Sequence, residues 1–157
     1  MGIEDDITVL ERVPTFSVLG RDALRILAIG AENRAVPAGE VLFARGDAAD
    51  AGFIVQRGAI VLKEGPPESE GGVAVARGGT LLGEFALLTE TVRPMSAVAA
   101  EPSTVLRIPR TLFLKMLEGY PDAAVRLRDF MAQRTTRATG EIAQIGASFN
   151  APPKRKA

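Results

Sequence analysis

The spacing of apolar residues divides the chain into three parts, beginning with a helical one. Over residues 22–29 the apolar positions recur at helical spacing, and one face of this helix would hold Ala23, Ile26, Leu27 and Gly30. An earlier short helix is expected over residues 5–12, because the residue before Pro14 is disfavoured in helical conformation. The first part, residues 4–30, is therefore predicted to be helical.

The middle part, residues 34–108, changes to short apolar runs separated by glycines. The runs are three or four residues long and comprise residues 41–43, 53–55, 59–62, 73–75, 97–99 and 105–108. Short runs bounded by turn residues are typical of an antiparallel sandwich or barrel. The polar stretch over residues 64–72 is expected to form a hairpin tip.

Helical spacing returns after Pro109, first over residues 111–117 and then from Pro121 to about Ile145. Pro121 followed by Asp122 is a favourable start for the second of these helices. The pattern predicts one α+β domain over residues 1–150. Its parts are N-terminal helices (4–30), an antiparallel β-roll resembling a jelly-roll barrel (34–108) and two C-terminal helices (110–145), followed by a flexible basic tail (146–157).

Composition narrows the chemistry more than it narrows the fold. The 157 residues include 46% apolar and 24% charged residues but no His, Cys or Trp. Such a chain has no imidazole base, thiolate nucleophile, zinc or iron–sulfur site, or axial His or Cys for haem. No apolar stretch approaches the ~20 residues of a membrane span, and the acidic N-terminus is unlike a signal peptide. We therefore expect a cytoplasmic protein without a cofactor.

The formal net charge of zero hides an uneven distribution, because the segment from Pro121 onward has seven basic and three acidic residues. The basic tail, residues 154–156, is interpreted as a solvated terminus. Enzymatic activity is not expected: the carboxylates near the candidate site described next, Glu84 and Glu90, have no evident acid–base partner.

Residues 78–98 carry the candidate chemistry. A short helical turn starting at Gly83-Glu84 would offer free backbone N–H groups to an anion. Arg93 could reach the same anion with its guanidinium, and Glu84 could accept hydrogen bonds from a polyol. This combination suggests a ligand with a phosphate and a sugar. The alternative is a surface turn in which Glu84 and Arg93 simply pair.

The same segment resembles a known family. The sequence Gly-Glu-Phe-Ala-Leu-Leu at 83–88, followed by Arg-Pro-Met-Ser-Ala at 93–97, is similar to the phosphate-binding cassette of cyclic nucleotide-binding domains. That family includes the bacterial cAMP receptor protein, the regulatory subunit of the cAMP-dependent kinase and cyclic-nucleotide-gated channels. Upstream glycine-containing segments at 37–43, 45–47 and 53–58 resemble the β-roll of the same family. The similarity covers roughly residues 10–135.

The resemblance implies a role for each position of the cassette. Glu84 would bind the ribose 2′-hydroxyl, with the Gly83 backbone beside it. Arg93 would pair with the cyclic phosphate, helped by the Ala86 N–H.

Two positions depart from the family pattern. Pro94 has neither an N–H nor a hydroxyl where the family usually has a small or hydroxyl residue, and threonine there favours cGMP. Ser96 replaces the usual threonine and could bond base or phosphate. We therefore expect cAMP in preference to cGMP, with weakened affinity.

The resemblance also implies a lid, since family members cap the base with a residue of the last helix. At the matching position of a bacterial cyclic-nucleotide-regulated potassium channel an arginine stacks on the purine, which makes Arg134 the expected cap. The alternative is a solvated Arg134 on a helix face.

Two functions stay open at this point. The first is a freestanding regulatory sensor in signal transduction, whose C-terminal helices close over the ligand and act on an unknown protein effector or on a homodimer partner. The second is a domain of the same fold with a degenerate or empty site that serves protein interaction or dimerisation. No DNA-binding module is expected, because the residues after Ile145 are too few for a recognition helix.

Overall fold

The computed structural model describes residues 2–140 of the chain, with side chains described as far as residue 134. The chain divides into two compact units. One is helical and, within the described residues, is formed by 2–30 and 111–140. The other, over Ala31–Arg110, contains the strands. No helix in the described part of the chain is long and apolar enough to span a membrane.

The helical unit contains three helices before the strands and two after them. These are α1 (Ile3–Glu11), α2 (Pro14–Ser17), α3 (Arg21–Gly30), α4 (Arg110–Gly119) and α5 (Pro121–Gly140). Phe16 of α2 and Phe113 of α4 are both buried, and their ring centroids lie 5.8 Å apart. Ile142, Ile145 and the basic tail lie outside the described residues.

The buried face of α3 differs from the face that helical spacing predicted. The buried residues are Ala23, Leu24, Leu27 and Ala28. Ile26 is 37% exposed and Gly30 is also exposed, so the face that holds these two residues with Ala23 and Leu27 is only partly buried. Relative to the face predicted from spacing, the centre of the buried stripe is rotated about the helix axis. The rotation is somewhat less than the angle of about 100° between consecutive residues. Several apolar stripes fit this short helix equally well, and tertiary packing selects one of them.

The β unit has ten strands, all paired antiparallel. In chain order they are β1 (Glu32–Val36), β2 (Val41–Phe43), β3 (Ala48–Ala49), β4 (Ala51–Arg57), β5 (Ile60–Lys63), β6 (Ala74–Ala76), β7 (Leu81–Leu82), β8 (Thr91–Val92), β9 (Ser96–Ala99) and β10 (Ser103–Pro109). They form three sheets, with orders β1-β10-β4-β7, β2-β9-β5-β6 and β3-β8.

This architecture confirms the predicted α+β class with an antiparallel β-roll. A 3-10 turn over Glu84–Leu87 lies between β7 and β8, which confirms the short helix expected inside the cassette. Strands β1, β3, β7 and β8 were not predicted. The last three have two residues each, too few for an alternating pattern to be recognised. In β1 only Ala35 and Val36 are apolar, so this strand lacks an apolar run.

The turn between β4 and β5 requires glycine for two independent reasons. Gly58 has φ +95°, in the left-handed region that other residues rarely adopt. A Cβ added there would also lie 2.6 Å from the Cα of Ser103 and 2.7 Å from the carbonyl oxygen of Pro102. The close approach allows the Ser103 Oγ to accept a hydrogen bond from the Ala59 N–H at 3.0 Å.

We therefore predict that Gly58→Ala is more destabilising than Gly39→Ala. Gly39 has φ +85°, but no atom lies within 4 Å of a Cβ placed there, so its substitution measures the backbone strain alone, about 1–2 kcal/mol. Gly58→Ala should cost a further 1–3 kcal/mol, roughly, from overpacking. Guanidinium unfolding followed by circular dichroism measures both free energies, and equal losses would contradict the steric argument.

Candidate anion-binding site

The turn of the cassette is anchored in the core of the β unit. Gly83 precedes it with φ +83°, and its carbonyl accepts a hydrogen bond from the Ala86 N–H at 3.0 Å. Glu84, Ala86 and Leu87 are buried. The Leu87 side chain lies against Gly52 of β4, where even a methyl group would meet it at 3.1 Å. The turn therefore has little freedom to move as a surface loop.

The backbone of Arg93 is held on both sides by the segment before β3. Its N–H donates to the Asp47 carbonyl at 2.8 Å, and its carbonyl accepts from the Gly46 N–H at 2.8 Å. The preceding strand, β8, pairs with β3. These bonds fix the backbone from which the Arg93 side chain extends.

The Arg93 guanidinium is buried but incompletely hydrogen-bonded. The residue is 4% exposed, and Nη2 donates to the Ala51 carbonyl at 2.8 Å. Nε and Nη1 are buried without a hydrogen-bond partner. The guanidinium carbon lies 4.3 Å from the centroid of the Phe43 ring and 5.4 Å from that of Phe53, within the range of cation–π attraction. Buried charges in proteins are normally paired, so this geometry favours a bound anion.

The charge of Arg93 survives its burial. Desolvation lowers the pKa of Arg93 to about 10, with Arg107 acting in the same direction. The carboxylates of Asp50 and Asp47 oppose the shift without bonding the guanidinium. At neutral pH the side chain therefore remains a cation, and its two unpartnered nitrogens retain their capacity to donate.

The structure brings the turn and Arg93 together at Gly83. The Arg93 Nη1 occupies the space that a Cβ on Gly83 would need, so the close approach depends on glycine. Glu84 is 2% exposed, which excludes the surface-turn alternative. The Arg93 Nη2 bonds the Ala51 carbonyl, while Nε and Nη1 have no hydrogen-bond partner.

The backbone N–H groups of the turn are not all free in the ligand-free structure, although the Ala86 N–H was expected to bind the phosphate. The Ala86 N–H is already engaged by the Gly83 carbonyl. That bond is the first of the turn, so the amides that precede it, those of Glu84 and Phe85, have no acceptor within the turn. Pro94, in the bend after Arg93, contributes no N–H.

Arg134 belongs to the helical unit, where its side chain has partners of its own. Its Nη1 lies 3.2 Å from the Thr15 Oγ1, and its guanidinium carbon lies 5.6 Å from the centroid of the Phe130 ring. The expected role of Arg134 as a cap on the base concerns the complex with a ligand, and it stays a prediction.

Sequence reasoning did not identify the residues that surround the Arg93 guanidinium. Phe43 and Phe53 are in predicted strands, but they belong to different sheets, and their ring centroids are 5.9 Å apart. Ala51 contributes only its carbonyl, which no side-chain pattern reveals. In the described part of the chain no group of His, Cys, Asp or Glu could hold a metal ion.

Comparison with known proteins places this site in a family. The family model described as "Cyclic nucleotide-binding domain" matches residues 33–120, more than half of the chain. The chain belongs to the cyclic nucleotide-binding domain family. The match includes the turn, Arg93 and the strands that carry Phe43 and Phe53.

Solved structures of this family superpose on the domain. A cyclic nucleotide-binding-like protein from Brucella abortus is 38% identical, with a TM-score of 0.66 over 73% of this chain and 98% of that one. The N-terminal domain of a transcriptional regulator from Streptomyces coelicolor is 25% identical, with a TM-score of 0.75 over 82% of this chain and 93% of that one. The β-roll with its helices is therefore a shared architecture.

Curated relatives are much longer proteins. The domain is 33% identical to the lysophospholipase NTE1 of Pyricularia oryzae over 110 residues. This aligned region covers 68% of this chain. It spans only 7% of the length of that relative. The similarity therefore concerns one cyclic nucleotide-binding domain and not the lysophospholipase as a whole.

Ser96 has a structural task in this cyclic nucleotide-binding domain. Its side chain is fully buried, and its Oγ accepts a hydrogen bond from the Arg45 N–H at 2.9 Å. The same oxygen donates its proton to the Gly65 carbonyl at 2.8 Å. The hydroxyl thus joins the loop after β2 to the hairpin after β5. The contact of Ser96 with a ligand stays a prediction.

We predict that Ser96→Ala destabilises the ligand-free domain by about 1–3 kcal/mol, because it leaves two backbone groups without their partner. Ser96→Thr retains the hydroxyl and serves as the control. Chemical unfolding of the two variants measures the difference. A loss of nucleotide affinity at unchanged stability would instead assign the hydroxyl to the ligand.

Proposed function

We propose that this domain binds a cyclic nucleotide, with cAMP preferred to cGMP, and that it does so as a regulatory module. The observation that supports the proposal is the buried Arg93 guanidinium with Nε and Nη1 unpartnered. An anion placed there would complete the hydrogen bonding of a charge that burial otherwise penalises. The family supplies the class of anion, and the site supplies the donors.

The cyclic phosphate is the group that Arg93 would bind. The guanidinium is held by the Ala51 carbonyl and the Phe43 ring, so little conformational freedom is lost when the anion enters. The Ala86 N–H stays a predicted further donor. A charge-assisted hydrogen bond of this kind contributes about 1.5–3 kcal/mol.

The ribose is assigned to Glu84. This residue begins the turn and is buried beside Gly83, whose close neighbour is the Arg93 guanidinium. An ionised carboxylate accepts hydrogen bonds from hydroxyl groups. A sugar hydroxyl next to a phosphate therefore matches the pair of Glu84 and Arg93 better than a second anion would.

The preference for cAMP rests on the absence of a free hydroxyl donor. Pro94 has none, and the proton of the Ser96 hydroxyl is donated to the Gly65 carbonyl. The family resemblance associates a hydroxyl after the arginine with cGMP. Both positions therefore support the adenine nucleotide.

The regulatory role and the lid are further parts of the proposal. We propose a cytoplasmic sensor without catalytic activity that acts on a protein effector or a partner copy, with Arg134 as the cap on the base. If Arg134→Ala left the dissociation constant for cAMP unchanged, the cap would be excluded. The competing role is that of an interaction module with an empty site, in which Arg93 is retained only for the contacts it makes with Ala51 and Phe43.

Isothermal titration calorimetry with cAMP and cGMP tests the nucleotide site. Arg93→Ala should weaken cAMP binding by about 10- to 150-fold, which corresponds to the loss of one charge-assisted hydrogen bond. Arg77→Ala removes the same charge from an exposed position of the same unit and should leave the dissociation constant unchanged. Equal affinities for wild type and Arg93→Ala would refute the site. A wild type that binds neither nucleotide would support the empty-site alternative.

A second titration examines the ribose contact separately. Glu84→Gln retains the shape of the side chain but removes its charge, and it should weaken cAMP binding by about tenfold. The same substitution should have little effect on 2′-deoxy-cAMP, which lacks the hydroxyl that Glu84 would bind. If both ligands lost affinity equally, Glu84 would not contact the 2′-hydroxyl.

A further inference from the structure

Arg110 makes an unusual set of contacts for a residue outside the cassette. Its Nη1 donates to three carbonyl oxygens, those of Ala49 at 3.0 Å, Ala86 at 3.1 Å and Thr89 at 3.1 Å. Its backbone N–H donates to the Asp50 carbonyl at 2.8 Å. One half-buried side chain thus gathers carbonyls from separate parts of the β unit.

The carbonyls belong to the two segments that form the nucleotide site. Ala49 and Asp50 immediately precede Ala51, whose own carbonyl holds the Arg93 Nη2. Ala86 lies inside the turn that starts at Glu84, and Thr89 follows the turn. Arg110 therefore connects the anchor of the Arg93 guanidinium to the turn that carries Glu84 and the amide donors.

Two other contacts support this connection, the packing of Leu87 against Gly52 and a short strand ladder. The ladder between β3 and β8 contains only two residue pairs, Ala48 with Val92 and Ala49 with Thr91. Carbonyl oxygens that converge on one point repel each other unless a positive donor lies between them. Arg110 provides that charge through one nitrogen, Nη1, whose two N–H groups are shared among the three oxygens.

We propose that Arg110 is a positioning residue of the nucleotide site, which sets the separation between Arg93 and the turn without touching the ligand. The inference rests on the proposed function for its effect on binding. Its structural part does not require a ligand: the geometry of the turn and of Arg93 depends on Arg110 in the ligand-free protein as well.

The ligand-free part is tested by amide hydrogen exchange resolved by nuclear magnetic resonance, on Arg110→Met and Arg110→Gln, which both remove the charge. The Ala86 and Arg93 amides, bonded to Gly83 and Asp47, should exchange about tenfold faster or more. The Val73 amide, bonded to Leu62 in the other sheet, should be unchanged. Uniform acceleration, or no acceleration at Ala86 and Arg93, would overturn the proposal.

The matched control is Arg126→Gln. Arg126 also donates to backbone carbonyls, those of Val18 at 2.6 Å and Leu19 at 2.8 Å, but it lies in the helical unit. This variant should leave the exchange of the Ala86 and Arg93 amides unaltered. Acceleration equal to that of the Arg110 variants would show a general loss of stability and would refute a specific role.

The binding part is tested by a double-mutant cycle with cAMP as the probe. Arg110→Gln should weaken binding about tenfold in the wild-type background and have a much smaller effect in Arg93→Ala, because it acts through Arg93. Additive effects would refute positioning. If wild-type protein does not bind cAMP, the proposed function fails, and the exchange measurements alone decide the role of Arg110.

Discussion

The structure of the candidate site depends on the burial of one positive charge. The Arg93 side chain is 4% exposed, and two of its three nitrogens lack an acceptor. An unpaired buried guanidinium is unfavourable for folding, so the surrounding residues must compensate for part of its desolvation. The Ala51 carbonyl and the rings of Phe43 and Phe53 do this by direct contact, and Gly83 provides the space. In the proposed function, a bound anion would offset the remainder of the desolvation cost.

This arrangement links stability and ligand binding through the same atoms. Any anion that bonds Nε or Nη1 of the folded domain, and not of the unfolded chain, must stabilise the fold in proportion to its affinity. Rigid support of Arg93 also reduces the entropy that is lost on binding. Arg110 would add to this rigid support without touching the ligand. Its contacts with backbone carbonyls connect the turn to the segment that anchors Arg93.

Sequence patterns predicted some features of the site and missed others for identifiable physical reasons. The turn after Gly83 and its proximity to Arg93 were accessible, because they lie within one short segment with a recognisable composition. The buried face of α3 was not, because a ten-residue helix with apolar residues on several sides allows more than one stripe. The structural use of Ser96 was also hidden, since its partners are the backbone groups of Arg45 and Gly65, 51 and 31 residues away.

The sequence by itself determined the succession of a helical, a strand-rich and a second helical part, and it excluded His- or Cys-based chemistry. These properties follow from local spacing and from composition. The cyclic nucleotide-binding family was indicated by the resemblance of the cassette at residues 83–97. Only the tertiary structure decided what surrounds the Arg93 guanidinium, because its partner Ala51 is 42 residues away in the chain and contributes a backbone atom. The register of antiparallel strands brings such groups together, and hydrophobic alternation specifies which face a residue occupies but not which distant residue it meets.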